Sequence, residues 1–314
     1  MPLLNRILRH SVPRELEADP PLPADSRREG PPVFSASQRK RHVLSTCANP
    51  SCASGWLHLL RSRSSPVFEN GWTCSPACTL ARIDVALRRE LDSRVRAEEY
   101  HRHRIPLGLL MLEQGWISSH QLRQALESQR AVGAGKLGQW LIRQQRVSEQ
   151  LVTRALGLQW SCPVLPLEYH DPQSLTGLVP RLFIDAFGAL PLRVAGGKLL
   201  YLGFEERLDL VLALAIARMT GLRVECGLVR ESEFRPALAR MLNLSFPVAE
   251  LVESAAEPAL ARTFAEAIER TKPVESTLVR VHDCLWLRMW RRPQPGAVPL
   301  PGCVHDLIGS VRLS

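Results

Sequence analysis

Between residues 105 and 165 the apolar positions recur at helical spacing, in a unit written twice at an offset of thirty residues. Leu107 pairs with Leu137, Gly108 with Gly138, Gln114 with Gln144, Ser118 with Ser148, Ala125 with Ala155, Leu126 with Leu156 and Gln129 with Gln159. Met111/Leu141 and Ile117/Val147 are apolar matches. Each unit predicts a short helix, a break and a longer helix. In the first copy Gly115 ends the short helix and Ser118 or Ser119 caps the long one; in the second, Ser148 is the cap. Two copies, too few for a solenoid, suggest units that close on each other or on a two-fold ligand.

Upstream, Leu80, Ile83, Leu87, Leu91 and Val95 mark one long amphipathic helix over Thr79–Arg104. Its basic end holds His101, Arg102, His103 and Arg104. Downstream, Val179–Phe187 reads as a short helix, and Ala189–Phe204 as a hairpin turning at Gly196 and Gly197. Leu208–Thr220 follows as a buried helix ended by Gly221, LRVECGLV as a strand and Glu231–Met241 as a closing helix. The tail adds an amphipathic helix, EPALARTFAEAIERT, and a segment, STLVRVHDCLWLRMWRR, that alternates well enough for one strand or a hairpin.

The fold class expected is therefore α+β, divided into five stretches. Residues 1–44 form a basic, Pro-rich arm whose composition cannot bury enough surface to fold alone. Residues 45–104 hold a cysteine module and its linking helix, 105–167 the helical repeat, 168–245 a small α/β lobe, and 246–314 a helix-plus-strand tail.

Charge adds one bias. Of the net +9, +6 falls in residues 1–104, where seventeen basic residues face eleven acidic ones. A basic N-terminal third suits an anionic membrane surface or nucleic acid, or simply a solvated arm and helix face. Few aromatics interleave with it and no reading helix is evident. The longest apolar run, Leu210–Ala217, is too short to span a bilayer, and the first residues are too polar for a signal peptide, so a cytoplasmic protein is expected.

The cysteines carry the clearest chemistry. Cys47 and Cys52 are separated by four residues, Cys74 and Cys78 by three, with twenty-one between the pairs. Two closely spaced thiolate pairs, each beside an Asn-Pro or Ser-Pro turn, suit tetrahedral Zn2+ in a closed structural site. Disulfides are the rival, disfavoured in the cytoplasm. Trp56 and Trp72 are expected beside the metal, and His58 is a weaker ligand candidate. No Gly-rich loop ending in Gly-Lys-Ser or Gly-Lys-Thr occurs, so no phosphate cradle of that kind and no ATPase or GTPase activity is expected. His282, Asp283 and Cys284 are adjacent on an expected strand and point to opposite faces, which excludes a joint triad. Cys162 and Cys226 read as small core residues, and Glu205, Glu206 and Asp209 as helix caps or flanks.

In its spacing the repeat resembles the N-terminal domain of type II secretion and type IV pilus assembly ATPases, the MshEN or GspE N-terminal family. The first copy supplies Leu107, Gly108, Met111, Gly115, Leu122, Leu126 and Gln129. The second supplies Lys136, Leu137, Gly138, Leu141, Val152, Leu156 and Gln159. The likeness continues to about residue 243 and stops before any ATPase core. It departs from the motif at Pro106 and Lys136, where the family has Arg, and at Gln145, where it has Gly.

The resemblance implies a non-catalytic module that senses a nucleotide, cyclic di-GMP gripped by the paired motifs, or docks a secretion or pilus component. On that reading Leu107, Gly108, Gly115, Gln129, Lys136, Leu137, Gly138 and Gln159 line the ligand, and Arg104 is a candidate substitute for the missing arginine. Helix-start amides at Gly108 and Gly138 would meet phosphate, and the two glutamines a guanine edge or phosphate. Two other readings are a zinc-dependent nucleic-acid regulator and a structural interaction protein whose repeat has lost its ligand.

Overall fold

A computed structural model describes residues 46–53, 65–92, 104–168, 170–293, 298–300 and 302–311. The expected arm at 1–44, together with Trp56, His58, Val95, His101, Arg102 and His103, lies outside the described residues.

The first described elements are a two-residue hairpin, β1 (Val67–Phe68) with β2 (Gly71–Trp72), and helix α1 (Pro76–Asp92). Glu69 and Asn70 both take positive φ in the hairpin turn, the combination that matches the twist of the flanking strands.

The repeat folds as four helices: α2 (Leu107–Glu113), α3 (Ser119–Val132), α4 (Leu137–Gln145) and α5 (Glu149–Trp160). Ser118 Oγ accepts the Gln121 amide while the Gln121 side chain accepts the Ser118 amide, a capping box. Ser148 Oγ caps α5. Met111, Ala125, Leu141 and Ala155 are fully buried in a core that belongs to the repeat. After α2 the left-handed turn falls on Gly115, which has no Cβ to clash there. The second copy has Gln145 at that place and continues its helix through it, so Arg146 takes the left-handed conformation instead.

Then follow α6 (Arg181–Phe187), the antiparallel pair β3 (Leu190–Ala195) and β4 (Leu199–Phe204), helix α7 (Leu210–Thr220), β5 (Arg223–Leu228) and α8 (Glu231–Leu242). Strand β5 is parallel to β4, as a connection through α7 requires.

The last stretch holds β6 (Ala249–Ser254), α9 (Glu257–Thr271), β7 (Glu275–Val281), β8 (Cys284–Trp290) and β9 (Val304–Val311). They form a four-stranded sheet of order β6-β9-β8-β7 with α9 against it. The expected hairpin is β7 and β8; β6 and β9 are additional strands. His282 and Asp283 form the turn between β7 and β8, with His282 at φ +51°, so they are not strand residues as expected; only Cys284 is.

Both faces of this sheet are covered, which explains why β8 is buried almost throughout. Val279, Cys284, Trp286 and Ile308 join the core of the α/β lobe, whereas Leu278, Leu285, Leu287 and Met289 join Phe68, Ile83 and Leu87 of the cysteine segment and Leu260 and Phe264 of α9. Helix α1 packs along α9, so the N-terminal cysteine segment and the C-terminal sheet share one core.

Two buried ionic groups seal the joins. Arg288 and Asp306, both essentially inaccessible, pair at 2.7 Å; Trp286 donates to Asp306, and Arg288 also donates to the Leu178 carbonyl of the lobe. Glu90 of α1 accepts two bonds from Arg218 of α7 (2.6 and 2.8 Å), one from the Arg280 amide and others from Arg89. Each carboxylate is therefore satisfied where burial would otherwise cost several kcal/mol.

Candidate functional site

The repeat builds a site with internal two-fold correspondence. A Cβ at Gly108 would stand 2.6 Å from Leu122 Cδ1 and 3.0 Å from Leu137 Cδ2; one at Gly138 would stand 2.8 Å from Val152 Cγ1 and 3.7 Å from Leu107 Cδ2. Each glycine thus admits the leucine or valine fourteen residues on in its own copy and the leading leucine of the other. Gln129 Nε2 donates to the Gly135 carbonyl at 2.9 Å, and Gln159 Nε2 to the Ile105 carbonyl at 2.7 Å. Gly135 and Ile105 stand two residues before the two leading leucines, so each glutamine clasps the entrance of the opposite copy.

The copies differ in their surroundings. In the first, the Arg104 guanidinium lies over the Trp160 ring, 3.0 Å from its centroid. Burial, then the nearby Arg207 charge, lowers the Arg104 pKa. In the second, Lys136 is ion-paired with Glu206, Gln139 donates to Glu231, and Glu149 accepts from the Ser232 amide (2.8 Å) and hydroxyl (2.6 Å) at the start of α8. Arg235 pairs with Glu205 at 2.9 Å and with Glu231 at 2.7 Å. A cleft of about 110 Å³ lies here, lined by Leu107, Leu137, Gly138, Val152, Glu206 and Glu231 among others. It adjoins an open groove of about 410 Å³ between Arg143 of α4 and Pro236 of α8.

Of the eight expected ligand residues, the structure gathers Leu107, Lys136, Leu137 and Gly138 on the cleft. Gly108 is buried under leucines, Gly115 is exposed at the end of α2, and Gln129 and Gln159 hold backbone carbonyls. Three of the carboxylates that rim the cleft, Glu205, Glu206 and Glu231, come from the lobe, far from the motif in sequence, and Glu149 lies on α5 within the second copy but is not a motif position.

The four expected metal ligands do meet. The sulfurs of Cys47, Cys52, Cys74 and Cys78 all lie within 4.8 Å of one another, and Cys74 is 3.6 Å from both Cys52 and Cys78. A tetrahedron with Zn–S bonds of about 2.3 Å has sulfur–sulfur edges of about 3.8 Å, so the set fits a thiolate-bound metal ion. All four are free thiols. Burial pushes Cys74 up to about 12, with the neighbouring thiols adding to it. At Cys78 burial acts the same way but is outweighed by hydrogen bonds, first from Ser75 and then from Asn49 (3.3 Å), which bring it to about 7. Trp72 is buried in the hairpin that leads into Cys74.

The other residues singled out in the sequence are structural. Asp209 caps α7 through the Leu212 amide and meets His282 Nε2 at 2.7 Å; His282 stacks on Phe187. Burial alone would raise the Asp209 pKa, yet His282 and the cap hold it below the ordinary range. Burial raises the thiols of Cys162, to about 11, and Cys226, to about 12, as suits core residues. The Glu90 cluster is what sequence reasoning missed. Its signal is position: Glu90 falls on the apolar stripe of α1 with Ile83 and Leu87.

The MshEN domain family matches residues 157–246, which begin near the end of α5 and cover the α/β lobe. Among solved structures, one of MshE with cdg is similar at 28% identity, covering 44% of this chain and 99% of that one, with a TM-score of 0.36. A structure of the N-terminal domain of XpsE is similar at 20% identity, covering 43% of this chain and 92% of that one, with a TM-score of 0.31. No curated protein matches the chain. Among the described residues no helix is long and apolar enough to cross a membrane. Over residues 157–246 this chain is therefore similar to the MshEN domain family.

Proposed function

We propose that the chain is a non-catalytic module of a type II secretion or type IV pilus system that senses cyclic di-GMP across its two-copy repeat, with a structural zinc at the four cysteines. One observation carries the reading: the two motif copies close on each other with exchanged contacts, Gly108 under Leu137 and Gly138 beside Leu107, with each glutamine clasping the other copy. A receptor with internal two-fold correspondence suits a ligand made of two equal halves. The MshEN match of the adjoining lobe supports the same assignment.

The cleft of about 110 Å³ is smaller than the roughly 300–1,000 Å³ of sites that enclose small molecules, so the dinucleotide spans the motif surface rather than entering a pocket. Lys136 supplies its nearest cation, and the glutamine oxygens remain as acceptors. Binding is weaker than in a domain with both leading arginines, since a lysine has no planar fork and Pro106 no charge. The partner that reads the bound state is a cytoplasmic component of the same machinery.

Isothermal calorimetry with cyclic di-GMP tests the reading. Heat saturating at one ligand per chain in the micromolar range is expected. No heat at high micromolar ligand would leave the repeat as a partner-docking unit. The zinc half is tested separately by elemental analysis of protein prepared without chelator.

A further inference from the structure

Resting on the cyclic di-GMP reading, we infer that Glu206 sets the affinity of the second motif by competing with an anionic ligand for Lys136. Lys136 leads this copy and, among the described residues, is the one cation lining the cleft, and its ammonium is already ion-paired with Glu206 of the lobe. The neighbouring carboxylates are differently placed. Glu205 and Glu231 both bond Arg235, and Glu149 is held by the Ser232 amide and hydroxyl. A phosphate that took Lys136 would leave those bonds intact and strip Glu206 of its lysine, placing two negative charges side by side.

The pair is partly exposed, with side-chain accessibility of 60% for Lys136 and 31% for Glu206, so exchange of partners is sterically open. Its strength is that of a surface ion pair, weak enough for a dianionic ligand to displace and strong enough to shift affinity measurably. Among the described residues the first copy carries no such arrangement: Pro106 stands at the corresponding position, and Arg104 lies over Trp160. The lobe therefore tunes one half of the repeat and not the other.

The test is calorimetry of cyclic di-GMP with the full chain, as wild type, Glu206→Gln, Lys136→Ala and the double variant, at low and high salt. Glu206→Gln removes the charge, keeps the shape and is expected to tighten binding about three- to thirtyfold. That gain should vanish in the Lys136→Ala background and shrink at high salt, where a partly exposed charge is screened. Glu225→Gln, which removes a carboxylate paired with Arg223 on β5, is the control for net charge and should bind as wild type does. Equal or weaker binding by Glu206→Gln than by wild type overturns the competition and leaves the ligand reading standing. A matching gain in Glu225→Gln assigns the effect to net charge and also overturns it. No binding by any variant removes the ligand reading itself, and the competition with it.

Discussion

Gln159 donates its side-chain amide to the backbone carbonyl of Ile105 at 2.7 Å, joining the last residue of the second motif to the approach to the first across fifty-four positions of sequence. Gln129 makes the corresponding bond to Gly135 only six residues away. The two bonds are equivalent in the repeat but not in what they hold: Gln129 tightens a local turn, whereas Gln159 closes the ring of four helices.

Gln159→Ala is accordingly expected to lower stability more than Gln129→Ala. Loss of a net hydrogen bond costs about 1 kcal/mol, and the Ile105 carbonyl would then have to find water. Denaturant unfolding, together with amide exchange over residues 104–113, should show the first helix loosening in the former variant alone.

Gly138→Val should destabilise the repeat by roughly 1–3 kcal/mol, because its new side chain meets the stiff, β-branched Val152 at 2.8 Å. Gly138→Ala, Val152→Ala together should recover part of that loss. A thermal melt in which Gly138→Val unfolds as wild type does would show that the two helices can separate freely.

Cys74→Ser is expected to abolish metal retention, since Cys74 sits at 3.6 Å from two of the other three sulfurs. Metal binding and folding are coupled in so small a segment. Because α1 shares its core with α9 and the C-terminal sheet, limited proteolysis should then cut both near the cysteines and after residue 246, while 105–243 stays protected. Elemental analysis finding no zinc in the wild-type chain would refute this.

Glu90→Gln should cost about 1–3 kcal/mol, since it removes a buried charge and leaves the Arg280 amide and the partly exposed Arg218 guanidinium poorly met. Burial acts to raise the Glu90 pKa, but the bonds and charge of Arg218, then Arg89 and the Arg280 amide, outweigh it and hold the group below its ordinary 4.5. A carboxylate with a lowered folded pKa contributes stability that is present above 4.5 and lost as pH falls through the folded value. Wild type should thus lose stability on acidification below 4.5 more steeply than Glu90→Gln, as read by melting temperature against pH.

Local rules were enough to write the repeat and the lobe into the sequence. Serine caps at 118 and 148, the glycine pair at 196 and 197, the glycine after Thr220 and apolar spacing along each helix fix conformation within a few residues. The cysteine spacing likewise brought four thiols together, because each turn constrains two sulfurs. Tertiary structure decided what no window of sequence contains. The β8 run is buried on both faces because α9 covers one and the lobe the other, and its arginine is tolerated only through Asp306 from another strand. Glu90 sits on an apolar stripe because Arg218 waits 128 residues away. Lys136, read along the chain as a ligand's cation, meets a lobe carboxylate seventy residues on, since charges find partners by distance in space and a motif records only distance along the chain.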